Sequence, residues 1–227
     1  MTRAHNCPKS LEINNVVSEK TIGRLSLYRR LLTELLADDR LNVYSHELAS
    51  LAGGTAPQVR RDLMAIGYSG SPSKGYDIAD LADSISSFLD NPNGTRVILV
   101  GVGNLGRAIM SYFKIQRPTL NIVASFDSDP KKIGSDICDR PCCDIAELET
   151  KALELDVRMG VIAVPADRAQ NVSDKLVTAG ITGILNFAPT RLKVPDHVYV
   201  EHVDLTTSME KVAYFVQSGR KSTEPDA

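Results

Sequence analysis

The chain has 227 residues, of which 43% are apolar, and its formal net charge is −2. This length is sufficient for two globular domains, which we expect here. No apolar run approaches the ~20 residues that span a bilayer. No apolar secretory segment follows Met1, so we expect a cytoplasmic protein.

The cysteines are not expected to form disulfide bonds in that reducing compartment. Cys138, Cys142 and Cys143 do not form two separated C-x-x-C pairs, so no metal site is expected either. We interpret them as ordinary buried or strand residues, with a redox or metal role as the alternative.

Charge is unevenly distributed along the chain. Residues 1–76 contain 10 Lys and Arg against 7 Asp and Glu, whereas residues 77–227 contain 16 against 21. A mildly basic first part is compatible with nucleic-acid binding without requiring it. The polar residues 1–17 and 219–227 are expected to be disordered.

Two helices are predicted before residue 55. Apolar residues recur at helical spacing from Ile22 to Leu36, which predicts an amphipathic helix that ends near Asp38. In the shorter second helix, Ser45 is the expected N-cap, and Leu48 and Leu51 are expected to face inward.

A third helix begins at Thr55-Ala-Pro-Gln58, where a capping Thr precedes a Pro and a capping-box Gln. A short helix, a glycine turn and a second capped helix are the elements of a helix-turn-helix. The second helix of that motif reads the major groove, here with Gln58, Arg60 and Arg61. Asp62 could brace a neighbouring Arg. The alternative is a helical bundle whose arginines lie on a solvated face.

Residues 67–76 predict the turn of a winged hairpin, with Lys74 as its only cation. Residues 77–90 predict a connecting helix, and the turn residues 91–94 then break the chain. We expect the domain boundary there or just before it.

A dinucleotide-binding fingerprint follows. The apolar strand Arg96 to Val100 leads into Gly101-Val-Gly103-Asn-Leu-Gly106 and a helix. In this G-x-G-x-x-G pattern, Gly101 permits the tight turn, Gly103 lets a pyrophosphate approach the backbone, and Gly106 permits close packing of helix on strand. The helix N-terminus supplies amide donors.

The second predicted strand, Leu120 to Phe126, ends in Asp127. A carboxylate there can accept hydrogen bonds from the ribose hydroxyls and would repel a 2′-phosphate, so NAD(H) is favoured over NADP(H). The alternative is a related nucleotide or a CoA-type ligand.

Further strands are predicted at 157–164, 181–187 and 198–203, with a helix at 166–178. Pro165 and Asn186-Phe187 follow strand ends, where open α/β sheets bind ligands. The last helix carries an apolar stripe that packs either on its own domain or on a partner subunit.

A series of motifs runs along nearly the whole chain. They are Thr21-Ile-Gly-Arg24-Leu-Ser-Leu-Tyr28, Gln58-Val-Arg-Arg-Asp62-Leu, Gly75-Tyr76, Gly101–Gly106 with Tyr112, Phe126-Asp127 with Lys132-Ile-Gly134, Val164-Pro-Ala166, Ile184-Leu-Asn-Phe-Ala-Pro189 and Val203-Asp204-Leu205. In these motifs and their order, the chain resembles the Rex family of redox-sensing transcriptional repressors.

The resemblance implies an α/β protein with an N-terminal winged helix-turn-helix domain and a C-terminal Rossmann-type parallel sheet. The expected divisions are 18–78 for the DNA-binding domain, 79–204 for the NAD(H)-binding domain with 79–94 as connecting helix and linker, and 205–218 for a swapped dimerisation helix. It further implies a homodimer that binds an inverted-repeat operator. NADH is expected to release the homodimer from the operator, whereas NAD+ is expected to be compatible with binding.

The resemblance also completes the set of candidate site residues. The expected cofactor-binding residues are Gly101, Val102, Gly103, Asn104, Leu105, Gly106, Tyr112, Asp127, Lys132, Val164, Pro165, Ala166, Asn186 and Phe187. The expected DNA-binding residues are Ser45, Thr55, Gln58, Arg60, Arg61 and Lys74. By resemblance alone, Tyr112 and Asp204 lie near the nicotinamide and Arg24 is an alternative partner of Asp204. Without the resemblance, we would interpret Asp204 as a helix cap and Arg24 as a solvated cation.

Two features qualify this interpretation. The wing carries Ser71-Pro-Ser-Lys74 where Rex proteins tend to carry a Lys-Arg pair, so fewer phosphate or minor-groove contacts are expected. An oxidoreductase remains the alternative function, but about 110 residues after Arg96 hold one nucleotide domain and little else. His197 and His202 belong to no triad-like set there, so no catalytic residue is expected.

Overall fold

The computed structural model describes residues 17–71, 74–117 and 119–218. The disorder expected for residues 1–17 and 219–227 lies outside these ranges, apart from Val17, and so do Pro72 and Ser73 of the predicted wing. The chain divides into two compact units, residues 1–92 and 93–227.

The first unit is mainly helical. Its elements are α1 (Glu19–Ala37), β1 (Asn42–Val43), α2 (Ser45–Ala52), α3 (Ala56–Ala65), β2 (Tyr76–Asp77) and α4 (Ile78–Leu89). Ser18 caps α1 by accepting the Thr21 N–H at 3.2 Å, and Thr55 caps α3 by accepting the Gln58 N–H at 3.4 Å. The two short strands pair antiparallel beside the wing.

The core of this unit is formed where the helices meet. Its fully buried side chains include Leu25, Tyr28 and Leu32 of α1, Leu48 of α2, Val59 and Leu63 of α3, and Ile78, Leu81 and Ile85 of α4. Each such apolar side chain contributes about 1.5–3 kcal/mol through burial. Helix α1 therefore lies between the connecting helix α4 and the pair α2 and α3, and it packs on all three.

Helix α2 differs from its prediction in two respects. Ser45 is its first helical residue rather than its N-cap. The cap position is Tyr44, whose N–H donates to Oε2 of Glu47 at 2.8 Å. Leu51 is 51% exposed, because on a helix it falls on the side of Leu48 away from the rest of the buried stripe.

The second unit contains a six-stranded parallel sheet flanked by helices. Its elements are β3 (Thr95–Val100), α5 (Asn104–Gln116), β4 (Leu120–Asp127), β5 (Cys142–Asp144), α6 (Leu148–Glu154), β6 (Met159–Ile162), α7 (Ala166–Thr178), β7 (Gly183–Asn186), β8 (Tyr199–His202) and α8 (Leu205–Ser218). The strand order β5-β4-β3-β6-β7-β8 reverses between β3 and β6. Such a switch point is where doubly wound sheets bind dinucleotides.

Strand β3 lies at the centre and is buried on both faces. Ile98 and Val100 pack toward one core, whereas Val97 and Leu99 pack toward the other. This explains its continuous apolar sequence, since parallel sheets are covered by helices on both sides.

The cysteines of this unit are free thiols. Cys142 and Cys143 lie on the edge strand β5, and Cys142 is buried. Cys138 lies instead in a hairpin turn with φ of 54°. In the described part of the chain, no group of three or more His, Cys, Asp or Glu side chains is placed to hold a metal ion.

Helix α8 follows the last strand and is exposed along its entire length. Its exposed large apolar side chains are Leu205, Met209, Val212, Tyr214, Phe215 and Val216. The stripe therefore does not pack on its own domain, which was one of the two expectations. None of the described helices is long and apolar enough to cross a membrane.

Candidate dinucleotide and DNA-binding sites

The parallel register brings the predicted dinucleotide motifs to one edge of the sheet. Val100 pairs with Phe126 on one side and with Ile162 on the other, and Ile162 pairs with Asn186. The residues that follow these positions therefore emerge together at the carboxyl edge, beside the switch point.

The glycine loop connects β3 to α5 at this edge. Gly101 has a φ of +98°, and a Cβ atom there would collide with the Ala163 carbonyl. At Gly106 a Cβ would collide with the Gly101 carbonyl, whereas at Gly103 it would meet nothing within 4 Å. Gly101 and Gly106 are thus required by the loop's own packing, and Gly103 leaves open space above the backbone.

The N-terminus of α5 faces the same loop. Gly103 occupies the N-cap position and provides no side-chain acceptor for the first-turn N–H groups, which include those of Asn104 and Leu105. Uncapped N–H groups at the positive end of a helix dipole are suited to bind phosphate.

Asp127 ends the neighbouring strand and is almost buried. Its Oδ2 accepts the Val102 N–H at 3.0 Å and Lys132 Nζ at 2.9 Å, and its Oδ1 accepts the Asp129 N–H at 3.0 Å. Burial alone would raise the pKa of this carboxyl, but these donors outweigh it and lower the pKa. Asp127 is therefore an ionised acceptor beside the loop, and Oδ1 retains capacity for a further hydrogen bond.

The other predicted residues at this edge have different surroundings. Val164 and Pro165 follow β6, with Pro165 at the N-cap of α7. Asn186 is fully buried and its side chain is used by the protein itself. Its Oδ1 accepts the Ala188 N–H at 3.0 Å, and its Nδ2 donates to the Thr190 carbonyl at 2.9 Å. Asn186 therefore shapes the loop that contains Phe187.

Sequence reasoning missed a contact between His202 and Asn186. The Nδ1 of His202 lies 3.1 Å from Nδ2 of Asn186. The two residues share a register position on β7 and β8, which no local pattern indicates.

Two of the three predicted switch residues, Tyr112 and Asp204, belong to the second unit. Tyr112 is 60% exposed, and its ring meets Phe113 edge-on. Asp204 precedes α8 and accepts both the N–H and the Oγ1–H of Thr207, at 2.9 and 2.6 Å. These bonds lower the pKa of Asp204.

In the first unit, α3 exposes its basic residues. Arg60 Nη1 donates to Oγ of Ser45 at 3.0 Å, which places the Ser45 hydroxyl on the same surface. Arg61 and Lys74 are exposed, and neither has a hydrogen bond or ion pair to another described residue. Arg61 is thus a free guanidinium on the predicted recognition helix.

Among the described residues of this unit, Asp62 is the most buried charged one, with 2% exposure. It accepts Arg24 through Nε at 2.6 Å and Nη2 at 2.7 Å, Tyr28 OH at 3.0 Å and Gln58 Nε2 at 3.0 Å. Asp62 thus braces an Arg as expected, and its partner is Arg24 on α1 rather than an arginine of α3. One signal was available: Asp62 lies on the apolar stripe of α3, where a buried carboxylate must be paired.

Two family models match the chain. The model described as "CoA binding domain" matches residues 93–190, and the model described as "Putative DNA-binding protein N-terminus" matches residues 16–63. The two matches fall in different units of the structure.

Similar proteins extend the comparison to nearly the full length. The redox-sensing transcriptional repressor Rex of Carboxydothermus hydrogenoformans is 41% identical over 88% of this chain and 97% of its own. The crystal structure of RSP in complex with β-NADH has a TM-score of 0.81 at 35% identity and covers 90% of this chain and 96% of RSP. RSP with β-NAD+ and operator DNA has a TM-score of 0.83 at 36% identity, over 90% and 94%. The chain belongs to the Rex family of redox-sensing transcriptional repressors.

Proposed function

We propose that this chain is a cytoplasmic repressor that binds an inverted-repeat operator as a homodimer and is released by NADH. The observation that carries the proposal is the pairing, in one chain, of a capped helix bearing the free guanidinium of Arg61 with a glycine loop at a sheet switch point. Solved structures of the similar RSP hold β-NADH in one case and β-NAD+ with operator DNA in another.

The proposed effector is NAD(H) rather than NADP(H). The open space at Gly103 and the N-terminus of α5 would receive the pyrophosphate. Asp127 is ionised and would accept a ribose hydroxyl, whereas a 2′-phosphate would be repelled. Lys132 is engaged by Asp127, which reduces its capacity to neutralise that phosphate.

The proposed dimer uses α8. Its apolar side chains, including Met209 at 71% exposure and Val212 at 61%, are not covered by the chain's own domain. A contiguous apolar face of this kind marks an interaction surface. A second copy of the chain would also supply the second recognition helix that an inverted repeat requires.

The proposed coupling uses charge. NAD+ and NADH differ by one positive charge on the nicotinamide ring, and Asp204 is the carboxylate proposed to respond. At an effective dielectric of ~20, two charges ~4 Å apart interact by about 4 kcal/mol before desolvation. Allosteric couplings are typically ~1–3 kcal/mol, so the re-partnering of one carboxylate is large enough. At present Asp204 is hydrogen-bonded to Thr207, and Arg24 is paired with Asp62. The proposed exchange of partners would compete with these two contacts.

A regulator rather than an enzyme is proposed. The test is to titrate the complex of the full-length chain with a labelled AT-rich inverted repeat, using NADH and NAD+ in parallel. Release by NADH at concentrations where NAD+ leaves the complex intact is the expected result. Steady NADH oxidation with 2-oxo acids, without DNA binding, would favour the oxidoreductase instead.

A further inference from the structure

We infer that Gln58 selects an adenine in each operator half-site, because Asp62 fixes the direction of its side-chain amide. The inference rests on the proposed DNA-binding function and adds to it the identity of a base. The groups that would contact the base are an N–H and the amide oxygen of Gln58, both on α3.

The amide of Gln58 has one orientation. Its Nε2 lies 3.0 Å from Oδ1 of Asp62, one helical turn away on the same helix. An ionised carboxylate only accepts hydrogen bonds, so the amide nitrogen must face Asp62 and the amide oxygen must face away. The reversed amide would place two acceptors against each other.

Asp62 is itself immobilised. The guanidinium of Arg24 holds both of its oxygens, and the hydroxyl of Tyr28 donates to Oδ2. Burial would raise the pKa of Asp62, but these donors and Gln58 lower it, so the acceptor-only form is the one present near neutral pH. The direction imposed on Gln58 is therefore built into the contact between α1 and α3.

A second Gln–Asp pair in this chain provides a contrast. On α7, Gln170 Nε2 donates to Oδ1 of Asp174 at 2.8 Å, with the same four-residue spacing. That amide also donates to the Lys193 carbonyl and accepts the Lys193 N–H, both at 2.9 Å. The protein thus uses both ends of the Gln170 amide. The Oε1 of Gln58 has no hydrogen bond to a described residue, and Nε2 retains a second N–H.

The free groups of Gln58 match one base. An acceptor beside a donor complements the N6 amino group and N7 of adenine in the major groove. Guanine presents two acceptors there, and its O6 would face Oε1. Gln58 is the third residue of α3, after the Thr55 cap, and the first turn of a recognition helix is the part that reaches base edges.

The experiment uses the full-length chain and a duplex library with randomised half-sites. The parent is expected to select adenine at one position that the Gln58→Ala variant no longer specifies, while the other selected positions stay the same. In the selected duplex, 7-deazaadenine or purine at that position should each weaken parent binding about 5- to 150-fold. Neither should further weaken Gln58→Ala. Gln170→Ala is the matched control and should keep the parent's sequence preference.

A second variant tests the role of Asp62. Asn at this position can donate as well as accept, so Asp62→Asn frees the Gln58 amide to reverse, and guanine should become tolerated at the adenine position. If Asp62→Asn does not fold, the modified bases with Gln58→Ala still decide the matter. A parent that selects a sequence, with unchanged base preference in Gln58→Ala, overturns the inference alone. A parent that selects no sequence overturns the proposed function.

Discussion

The guanidinium of Arg24 binds both carboxylate oxygens of Asp62, with Nε to Oδ2 at 2.6 Å and Nη2 to Oδ1 at 2.7 Å. Such two-point pairs are strong and geometrically specific. The pair joins α1 to α3, and Nη2 also reaches Oγ1 of Thr21 at 3.1 Å. A signal that gives Arg24 another partner would therefore remove a contact between α1 and α3.

Removing the carboxylate should destabilise this unit. We expect Asp62→Ala to lower its free energy of unfolding by about 2–4 kcal/mol, because Arg24 and Tyr28 lose a buried partner. Hydrogen exchange of the full-length chain would measure this as faster exchange of amides in α1 and α3. Tyr28→Phe, which removes one bond and leaves the pair, should have a smaller effect. Equal protection in parent and Asp62→Ala would contradict the expectation.

The same carboxylate predicts a loss of stability in acid. Because the pKa of Asp62 is lowered in the folded chain, its contribution is fully present above the unfolded value of about 4 and is lost as pH falls through the folded value. Helical content followed by circular dichroism should therefore fall more gradually with pH in Asp62→Asn than in the parent. Parallel pH profiles would assign the acid sensitivity to other groups.

Arg60 and Arg61 should both be needed for specific DNA binding. We expect either Ala variant to lose specific binding while NADH affinity is retained, since both lie on α3 and neither is in the nucleotide-binding unit. A bidentate Arg–guanine contact provides about 1–3 kcal/mol of discrimination. Gel-shift competition against random DNA measures the specific part. If one Arg contacts only phosphate, its variant should weaken all sequences alike and reduce the salt dependence. Retained operator specificity in both variants would exclude these residues as readers.

Asp127 should determine cofactor selectivity. We expect Asp127→Ala to weaken NADH binding several-fold and Asp127→Arg to shift preference toward NADPH, because the proposed role of the carboxylate is to accept hydrogen bonds from the ribose hydroxyls. Isothermal titration with both cofactors measures each affinity. Since Asp127 also accepts the Val102 N–H, Asp127→Asn is a useful control that keeps a side-chain acceptor there. Unchanged selectivity in Asp127→Arg would mean that the ribose is recognised elsewhere.

Substitution of Gly103 should affect ligand binding, whereas substitution of Gly106 should affect stability. A methyl group at Gly103 meets open space, so Gly103→Ala should fold as the parent does and yet bind NADH at least several-fold more weakly, because the methyl obstructs the pyrophosphate. At Gly106 it meets the Gly101 carbonyl, so Gly106→Ala should unfold at lower temperature. Calorimetry and NADH titration of both variants provide the comparison. Full NADH affinity in Gly103→Ala would place the pyrophosphate away from this loop.

The switch residues should affect the response to NADH more than its binding. We expect Asp204→Ala and Arg24→Ala to remain dimers that bind NADH but show a smaller NADH/NAD+ difference in operator affinity. Thr207→Val serves as a control, because it removes one hydroxyl contact to Asp204 and leaves the carboxylate. If both variants keep the parent's full difference, discrimination must lie in nicotinamide packing or domain closure.

The local sequence was sufficient to predict most of the helices and strands and the glycine loop. Thr55 before a Pro predicts the start of α3, and a buried strand before G-x-G-x-x-G predicts the β3–α5 turn, since caps and tight turns depend on residues next to each other. The apolar spacing likewise predicts α1 and α8. The two-residue strands β1 and β2 and the short β5 were not predicted, because such segments are too brief to show a period.

Tertiary structure decided which side chains meet. Asp62 finds Arg24 at a separation of 38 residues, and Asn186 finds His202 at 16. Helix packing and strand register create these contacts, and neither leaves a sequence period of its own. The same holds for α8. Its amphipathic pattern predicts a helix with an apolar face, but only the completed sheet shows that this face remains exposed, because burial depends on where the rest of the chain lies.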